Sequence, residues 1–386
     1  MGGEHARALT LALMVCHLAI AFALHGGVAA RSGDDYDRYW EIAGAAGRPY
    51  VSYQVELAPL APGFFRLVAR TTGDRDNFRR VLLWTMATAD LAIALCLVWG
   101  FGWSSAAIYL VITGPLLTLY FMRADFLPTA AAALAAAAYR RGKPLVAAAA
   151  LVTGVGFKLW PLPLAAWFVR RWRTRDGRRA ALGFAAGAAI LGLSWMVIGG
   201  AGGVGQVVTF RGATGWQVES LIGAALAAGG GLTTLRLESD AWRVGVLSPT
   251  VTIALLALGT LVAFGLVWRG ASARDHMGVT WLAGVTALML SAPILSPQYL
   301  VWIAPATAIA WTEGHRRASL LAAAAVPLTM LLMRGYGALL AQQSWAAWLI
   351  IGRNLALLLS LLAAVAAIWQ IRRRILFPPE GRQRID

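Results

Sequence analysis

The sequence predicts an all-α, polytopic membrane protein, and three observations carry that expectation. Apolar stretches of about 20 residues, the length a helix needs to cross a bilayer, recur from one end of the chain to the other. Only 13% of the 386 residues are charged against 59% hydrophobic, and the mean hydropathy is +0.64, more apolar surface than one soluble core can hide. The basic residues gather at the ends of the apolar stretches. In a soluble chain a net charge of +16 would suggest nucleic acid. Here arginines at span ends read as topology signals, because positive residues collect on the cytoplasmic side, and no nucleic-acid partner is expected.

The basic clusters are Arg140, Arg141 and Lys143; Arg170, Arg171, Arg173, Arg175, Arg178 and Arg179; Arg269 and Arg274; Arg316 and Arg317; and Arg372, Arg373 and Arg374. With all of them on the cytoplasmic side, the spans between them must come in pairs. This predicts a transmembrane bundle of roughly twelve helices, near 9–30, 79–100, 104–121, 126–140, 144–157, 160–170, 179–199, 248–268, 277–292, 298–312, 317–334 and 346–370. Both termini are then cytoplasmic. The first stretch is long and lacks a clear small-x-small cleavage site, so it reads as a retained span in a plasma-membrane protein.

Between Lys143 and Arg170 the chain must leave and return, as two short helices turning near Lys158; a single span would bury Lys158 in mid-bilayer. Helices this short belong inside the bundle or in a locally thin membrane. The whole chain, 1–386, is expected to be one membrane domain. Two stretches fit no span, a first extracytoplasmic loop at 31–78 and a Gly-rich second one at 200–247. Residues 61–69 are amphipathic after Pro59 and read as an interfacial or re-entrant helix. Cys16 and Cys96 both lie in apolar stretches, and the five histidines show no ligand spacing, so neither a disulfide framework nor a metal site is indicated. Asp90, deep in the second helix, reads as a structural partner for another polar residue.

The first loop holds Asp34, Asp35, Asp37, Glu41 and Glu56 among Tyr36, Tyr39, Tyr50 and Tyr53, a large share of the chain's 18 acidic residues. A membrane protein tolerates ionisable groups mainly at its wet edges or in a functional cavity. The topology puts further polar groups on the same outer face: Arg123 and Asp125, Lys158, Arg211, Gln217 and Glu219, then Ser296, Gln298 and Tyr299. That convergence is what an extracytoplasmic site requires.

The stretch Asp35, Tyr39, Ala43, Gly47, Pro49, Tyr50, then Glu56, Pro59 and Leu60 resembles the D-x3-Y-x3-A, G-x-P-Y and E-Y-P-P-L signature of GT-C class membrane glycosyltransferases. It is most similar to the branch of polyprenyl-phosphate-mannose-dependent α-mannosyltransferases, glycosyltransferase family 87, with the related arabinofuranosyltransferases. Arg123-Ala-Asp125-Phe-Leu-Pro128, Lys158-Leu-Trp-Pro161, Gln217-Val-Glu219-Ser220 and Ser296-Pro-Gln298-Tyr299 resemble further family segments in order, so the likeness covers most of residues 30–310. Leu57 and Ala58 depart from it, standing where the family has Tyr and Pro.

The resemblance implies a GT-C fold and transfer of a hexose, mannose, from a polyprenyl-phosphate donor to a lipid or glycan acceptor on the outer face, with inversion. Membrane lipids are the remaining partners. A carboxylate must take the acceptor proton, and cations must stabilise the departing phosphate. The catalytic acid is an aspartate of the first loop; Asp34, Asp35 and Asp37 compete, and spacing to Tyr39 favours Asp35, with Glu56 as second carboxylate. Arg123, Lys158 and Arg211 would clamp the phosphate. Asp37, Tyr39, Tyr50, Asp125, Gln217, Glu219, Gln298 and Tyr299 would bind substrate, the tyrosines and Trp216 stacking on sugar or lining a lipid groove. No cofactor is firmly implied, and a divalent metal is left open. The alternative is a transporter or flippase of a polyprenyl-linked or other anionic substrate. Such a protein needs a mid-membrane coupling site, for which Asp90 is the only candidate.

Overall fold

The structure, a computed structural model, describes residues 3–31, 34–271 and 276–376, with side chains through Arg373. Arg274 and the Arg374 side chain, both assigned above to basic clusters, lie outside the described residues.

The long apolar stretches form α1 (Gly3–Val28), α4 (Arg75–Phe101), α5 (Trp103–Thr113) continued through a 3₁₀ turn into α6 (Leu117–Tyr120), α10 (Arg175–Val208), α12 (Pro249–Gly270), α15 (Arg316–Arg334) and α17 (Ser344–Leu376). Among the described residues, seven helical segments, with α5 and α6 counted as one, are long and apolar enough to cross a membrane. Between them lie α7 (Phe126–Arg140), α8 (Pro144–Phe157), α9 (Ala166–Arg170), α13 (Met277–Ser291) and α14 (Leu300–Thr312). At 13 to 15 residues, α7, α8, α13 and α14 reach only about 20 Å at 1.5 Å per residue, short of a hydrocarbon core of about 30 Å. Most of them therefore sit within the bundle. Every residue of α13 from Met277 to Leu290 is buried, as is α14 from Leu300 to Ala310.

The hairpin expected between Lys143 and Arg170 forms. Lys158, just past α8, is level with Asp125 at the start of α7. Trp167, only a few residues further along in α9, is back at the opposite end, where its carbonyl accepts from the Tyr139 hydroxyl (3.3 Å) and its indole N–H reaches Thr280 (3.0 Å).

The loops hold more structure than their composition suggests. Within the expected first loop, Asp34 caps a helix, α2 (Asp35–Gly44), by accepting from the Tyr36 N–H, while Asp35 and Asp37 complement the dipole in its first turn. The amphipathic run forms α3 (Leu60–Thr72). Helix α10 continues past its expected end near residue 199, kinking at Gly200 (φ 61°), so the second loop begins only after Val208. That loop contains α11 (Leu221–Ala228) and a small antiparallel sheet in the order β1 (Trp216–Gln217), β3 (Ala241–Val244), β2 (Arg236–Glu238). Helix α16 (Tyr336–Leu340) precedes α17. Each of the twelve expected segments thus has a helical counterpart, and α2, α11 and α16 add short helices where capped turns and polar loops also fold.

Inside the bundle, Asp90 joins three helices. Its Oδ2 faces His17 Nδ1 on α1 (2.7 Å), its Oδ1 accepts from the Tyr109 hydroxyl on α5 (2.6 Å), and His17 Nε2 donates to the Leu110 carbonyl (3.0 Å). Asp90 is the structural partner that its position suggested.

Candidate active site at one end of the bundle

The three competing aspartates separate by the direction they leave α2. Asp34 and Asp37 both turn toward α4, where Arg79 is fully buried: its Nη2 is 2.5 Å from Asp34 and its Nη1 2.7 Å from Asp37. Arg79 also donates to the Val28 carbonyl at the end of α1 (2.8 Å), and Arg75 adds a second contact to Asp37 (2.6 Å). These two carboxylates therefore fasten α2 to α1 and α4, and Asp37, expected to bind substrate, is held in that fastening.

Asp35 leaves the helix on another face. Its Oδ1 pairs with Arg123 in the turn after α6, and its Oδ2 accepts from the Tyr39 hydroxyl one turn along (3.3 Å). Both members of the ion pair keep access to solvent, the Asp35 side chain 32% and Arg123 26% exposed. Burial alone would lower the Arg123 pKa, but the Asp35 carboxylate outweighs it and the net shift is upward. A cavity of about 320 Å³ opens beside Arg123, lined by Arg31, Asp34, Thr118, Leu119 and Met122.

A second carboxylate adjoins the first. Asp125, before α7, is buried, and its Oδ1 accepts from both Lys158 Nζ and the Trp302 indole N–H, each at 2.6 Å. Its Oδ2 is buried with no hydrogen-bond partner among the described residues. Lys158 lies 5.1 Å from the Tyr299 ring centroid and 5.3 Å from that of Trp302, and those rings stack at 3.8 Å, so the ammonium rests against an aromatic wall. Burial, with the carboxylates of Asp125 and Asp35, raises the Tyr299 pKa, which marks the two acids as neighbours of one hydroxyl.

Arg211 and Glu56 form an adjoining patch rather than part of this pair. Arg211 Nε is 3.7 Å from Glu56, which also pairs with Arg38 (3.1 Å), and Arg211 Nη2 holds Asp240 (2.8 Å). Arg211 and Asp240 both have positive φ (64° and 57°), a costly backbone for non-glycine residues that recurs where loops are held in place. Tyr50, also at positive φ (66°), faces inward: its hydroxyl donates to the Leu57 carbonyl (2.6 Å). Its ring lies against Gly199, where a Cβ would come within 2.7 Å of it. Tyr50 thus anchors the first loop to α10.

Gln217 ties the second loop to the segment between α13 and α14 by donating to Ser296 Oγ (3.0 Å) and accepting from the Leu295 N–H (2.8 Å). Gln298 is buried in the following 3₁₀ turn. Glu219 is buried, accepts from the Tyr336 hydroxyl (3.2 Å) and leaves Oε2 without a partner; burial raises its pKa. Arg353 of α17 donates to the Glu219 carbonyl, and Asn354 to the carbonyls of Glu219 and Ser220.

Sequence reasoning missed Arg79, Trp302, Tyr336, Arg243 and Arg353. A lone arginine in the apolar stretch of α17 was a legible signal, since intramembrane charge marks function or a buried partner. Arg243, buried in β3, donates to the Gly215 carbonyl (2.8 Å) and leaves Nη2 unpartnered, and nothing in its local sequence indicates this.

The fold and site together define a polytopic helical membrane protein with a partly open carboxylate and cation cluster at one end of its bundle. No family model matches the chain, and no curated protein matches it. Among solved structures it is similar to ArnT from Cupriavidus metallidurans bound to undecaprenyl phosphate, with 13% identity and TM-score 0.46 over 94% of this chain and 79% of that one. It is also similar to ArnT from the same organism in the apo state, with 14% identity and TM-score 0.47 over 91% and 76%.

Proposed function

We propose that this protein is a GT-C class glycosyltransferase that moves a sugar, mannose, from a polyprenyl phosphate to a lipid or glycan acceptor at the outer face of the membrane. The observation that carries the reading is Asp35, the one of the three candidate aspartates Asp34, Asp35 and Asp37 that does not fasten α2 to α4. It stands half-open between Arg123 and Tyr39, beside Asp125 and Lys158.

In the reaction the acceptor hydroxyl attacks the anomeric carbon from the face opposite the phosphate. The new C–O bond forms, the bond from C1 to the phosphate oxygen breaks, and the configuration inverts. Asp35 takes the proton of the attacking hydroxyl. Arg123 and Lys158 balance the charge that grows on the departing phosphate. Both cations are paired with carboxylates at rest, so the phosphate would share Arg123 with Asp35 rather than meet a free guanidinium. Arg211 and Glu56 lie further along the same rim, where the acceptor or the loop is held. Asp90, the one feature that favours a transporter, is bonded to His17 and Tyr109 and joins α1, α4 and α5.

The test is direct. Purified protein incubated with radiolabelled polyprenyl-phosphate mannose and a membrane lipid extract should yield a labelled product, and Asp35→Asn should not. Failure to form product from any polyprenyl-phosphate sugar, together with movement of the label across proteoliposomes, would favour transport.

A further inference from the structure

The far end of the α13–α14 pair carries a cluster for which sugar transfer has no use. His276 precedes α13, Glu313 follows α14 and His315 precedes α15, so three helix ends meet there. Ligand-capable atoms of all three residues lie within 4.8 Å of one another. His276 Nδ1 and His315 Nε2 are 3.4 Å apart. That is long for a hydrogen bond from nitrogen, whose usual range ends near about 3.2 Å. It matches instead the edge of roughly 3.3 Å between two ligands each about 2.05 Å from a tetrahedral zinc ion. The rings are tilted by 59° with centroids 5.5 Å apart, so they are not stacked face to face.

The third group is held rigidly. Glu313 Oε1 accepts from the Gly278 N–H (3.0 Å) and Oε2 from the Val279 N–H (3.2 Å), which caps α13 and fixes the carboxylate plane. Each oxygen keeps a second lone pair for a cation. Gly278 permits this meeting, because a Cβ there would collide with the Ala310 amide, and the two helices could not close at this end.

We infer that His276, Glu313 and His315 bind one divalent transition-metal ion of the zinc type, with water completing four ligands. Two imidazoles and a carboxylate are a donor set that suits zinc, cobalt or nickel over calcium or magnesium. The ion would clamp α13, α14 and α15 together. Helices α13 and α14 run about 20 Å from this clamp to the turn that carries Gln298 and Tyr299, so the metal would stiffen the scaffold of the candidate active site from its opposite end.

Metal binding by the full-length protein, purified without a polyhistidine tag and stripped with a chelator, tests this. Titration with Co²⁺ should show one saturable equivalent with the intense visible absorption of a four-coordinate site, displaced by Zn²⁺, and Zn²⁺ should raise the thermal unfolding temperature. His276→Ala and His315→Ala should each weaken binding by about 10-fold or more and lose the metal-dependent part of the thermal shift, whereas exposed His5→Ala should change neither. That difference, rather than the absolute unfolding temperature, is the readout, so a variant that is merely less stable still reports on the metal. Absence of a saturable equivalent in the wild-type protein, or binding unchanged by both histidine substitutions, overturns the inference.

Discussion

Two triads of the same composition sit at different depths in this molecule. Each joins an aspartate, a basic side chain and a tyrosine hydroxyl: Asp90 with His17 and Tyr109, and Asp35 with Arg123 and Tyr39. The inner triad is closed. Asp90 is fully buried, its tyrosine bond is 2.6 Å, and the second nitrogen of His17 is spent on a backbone carbonyl. The outer one is slack and wet: its tyrosine bond is 3.3 Å, and about a third of the Asp35 side chain (32%) is exposed. Similar chemistry therefore serves two ends. Groups that exchange partners only with each other hold helices together, whereas groups that water can reach can exchange a partner for a substrate.

The sharpest way to break this comparison is to make the same substitution in both. Asp35→Asn keeps the shape but cannot accept a proton, so transfer should fall by roughly 100-fold or more while thermal unfolding stays near wild type. Asp90→Asn should do the reverse, costing about 1 to 3 kcal/mol of stability, since a buried polar group bonded to His17 and Tyr109 loses hydrogen-bond partners. Its turnover per folded molecule should hold. Thermal unfolding in detergent and a transfer assay on the same preparations separate the two, and equal activity losses would erase the distinction between the triads.

Arg79 sharpens the comparison from within the first loop. Arg79→Ala strips Asp34 and Asp37 of their shared partner and should lower the yield of folded protein, whereas Asp34→Asn and Asp37→Asn should each cost less transfer than Asp35→Asn. A larger loss at Asp37 than at Asp35 would move the base.

Lys158→Ala and Arg123→Ala should each weaken donor binding by about 1.5 to 3 kcal/mol, roughly 10- to 100-fold, and Arg123→Lys should not restore it fully. Titration with a polyprenyl phosphate reads this effect. The smallest test concerns sidedness alone. Cysteines placed at position 158 and at exposed position 240 of the second loop should react with a membrane-impermeant thiol reagent in intact cells, and labelling of position 158 only after permeabilisation would put the cluster on the inner face.

The sequence by itself determined where the long helices run. A bilayer span is a local property, some 20 apolar residues read without reference to anything else. Local too was the concentration of acids and tyrosines after the first span. Tertiary structure decided what distance along the chain conceals. Asp34, Asp35 and Asp37 are equivalent in composition; they differ because Arg79 approaches one side of α2 and Arg123 another, each from a different helix. Asp125 with Trp302, Glu219 with Tyr336, and His276 with His315 are likewise meetings of remote segments. Hydropathy reports the cost of putting a segment in lipid, whereas the partner of a buried charge is set by packing between helices, which no local pattern encodes.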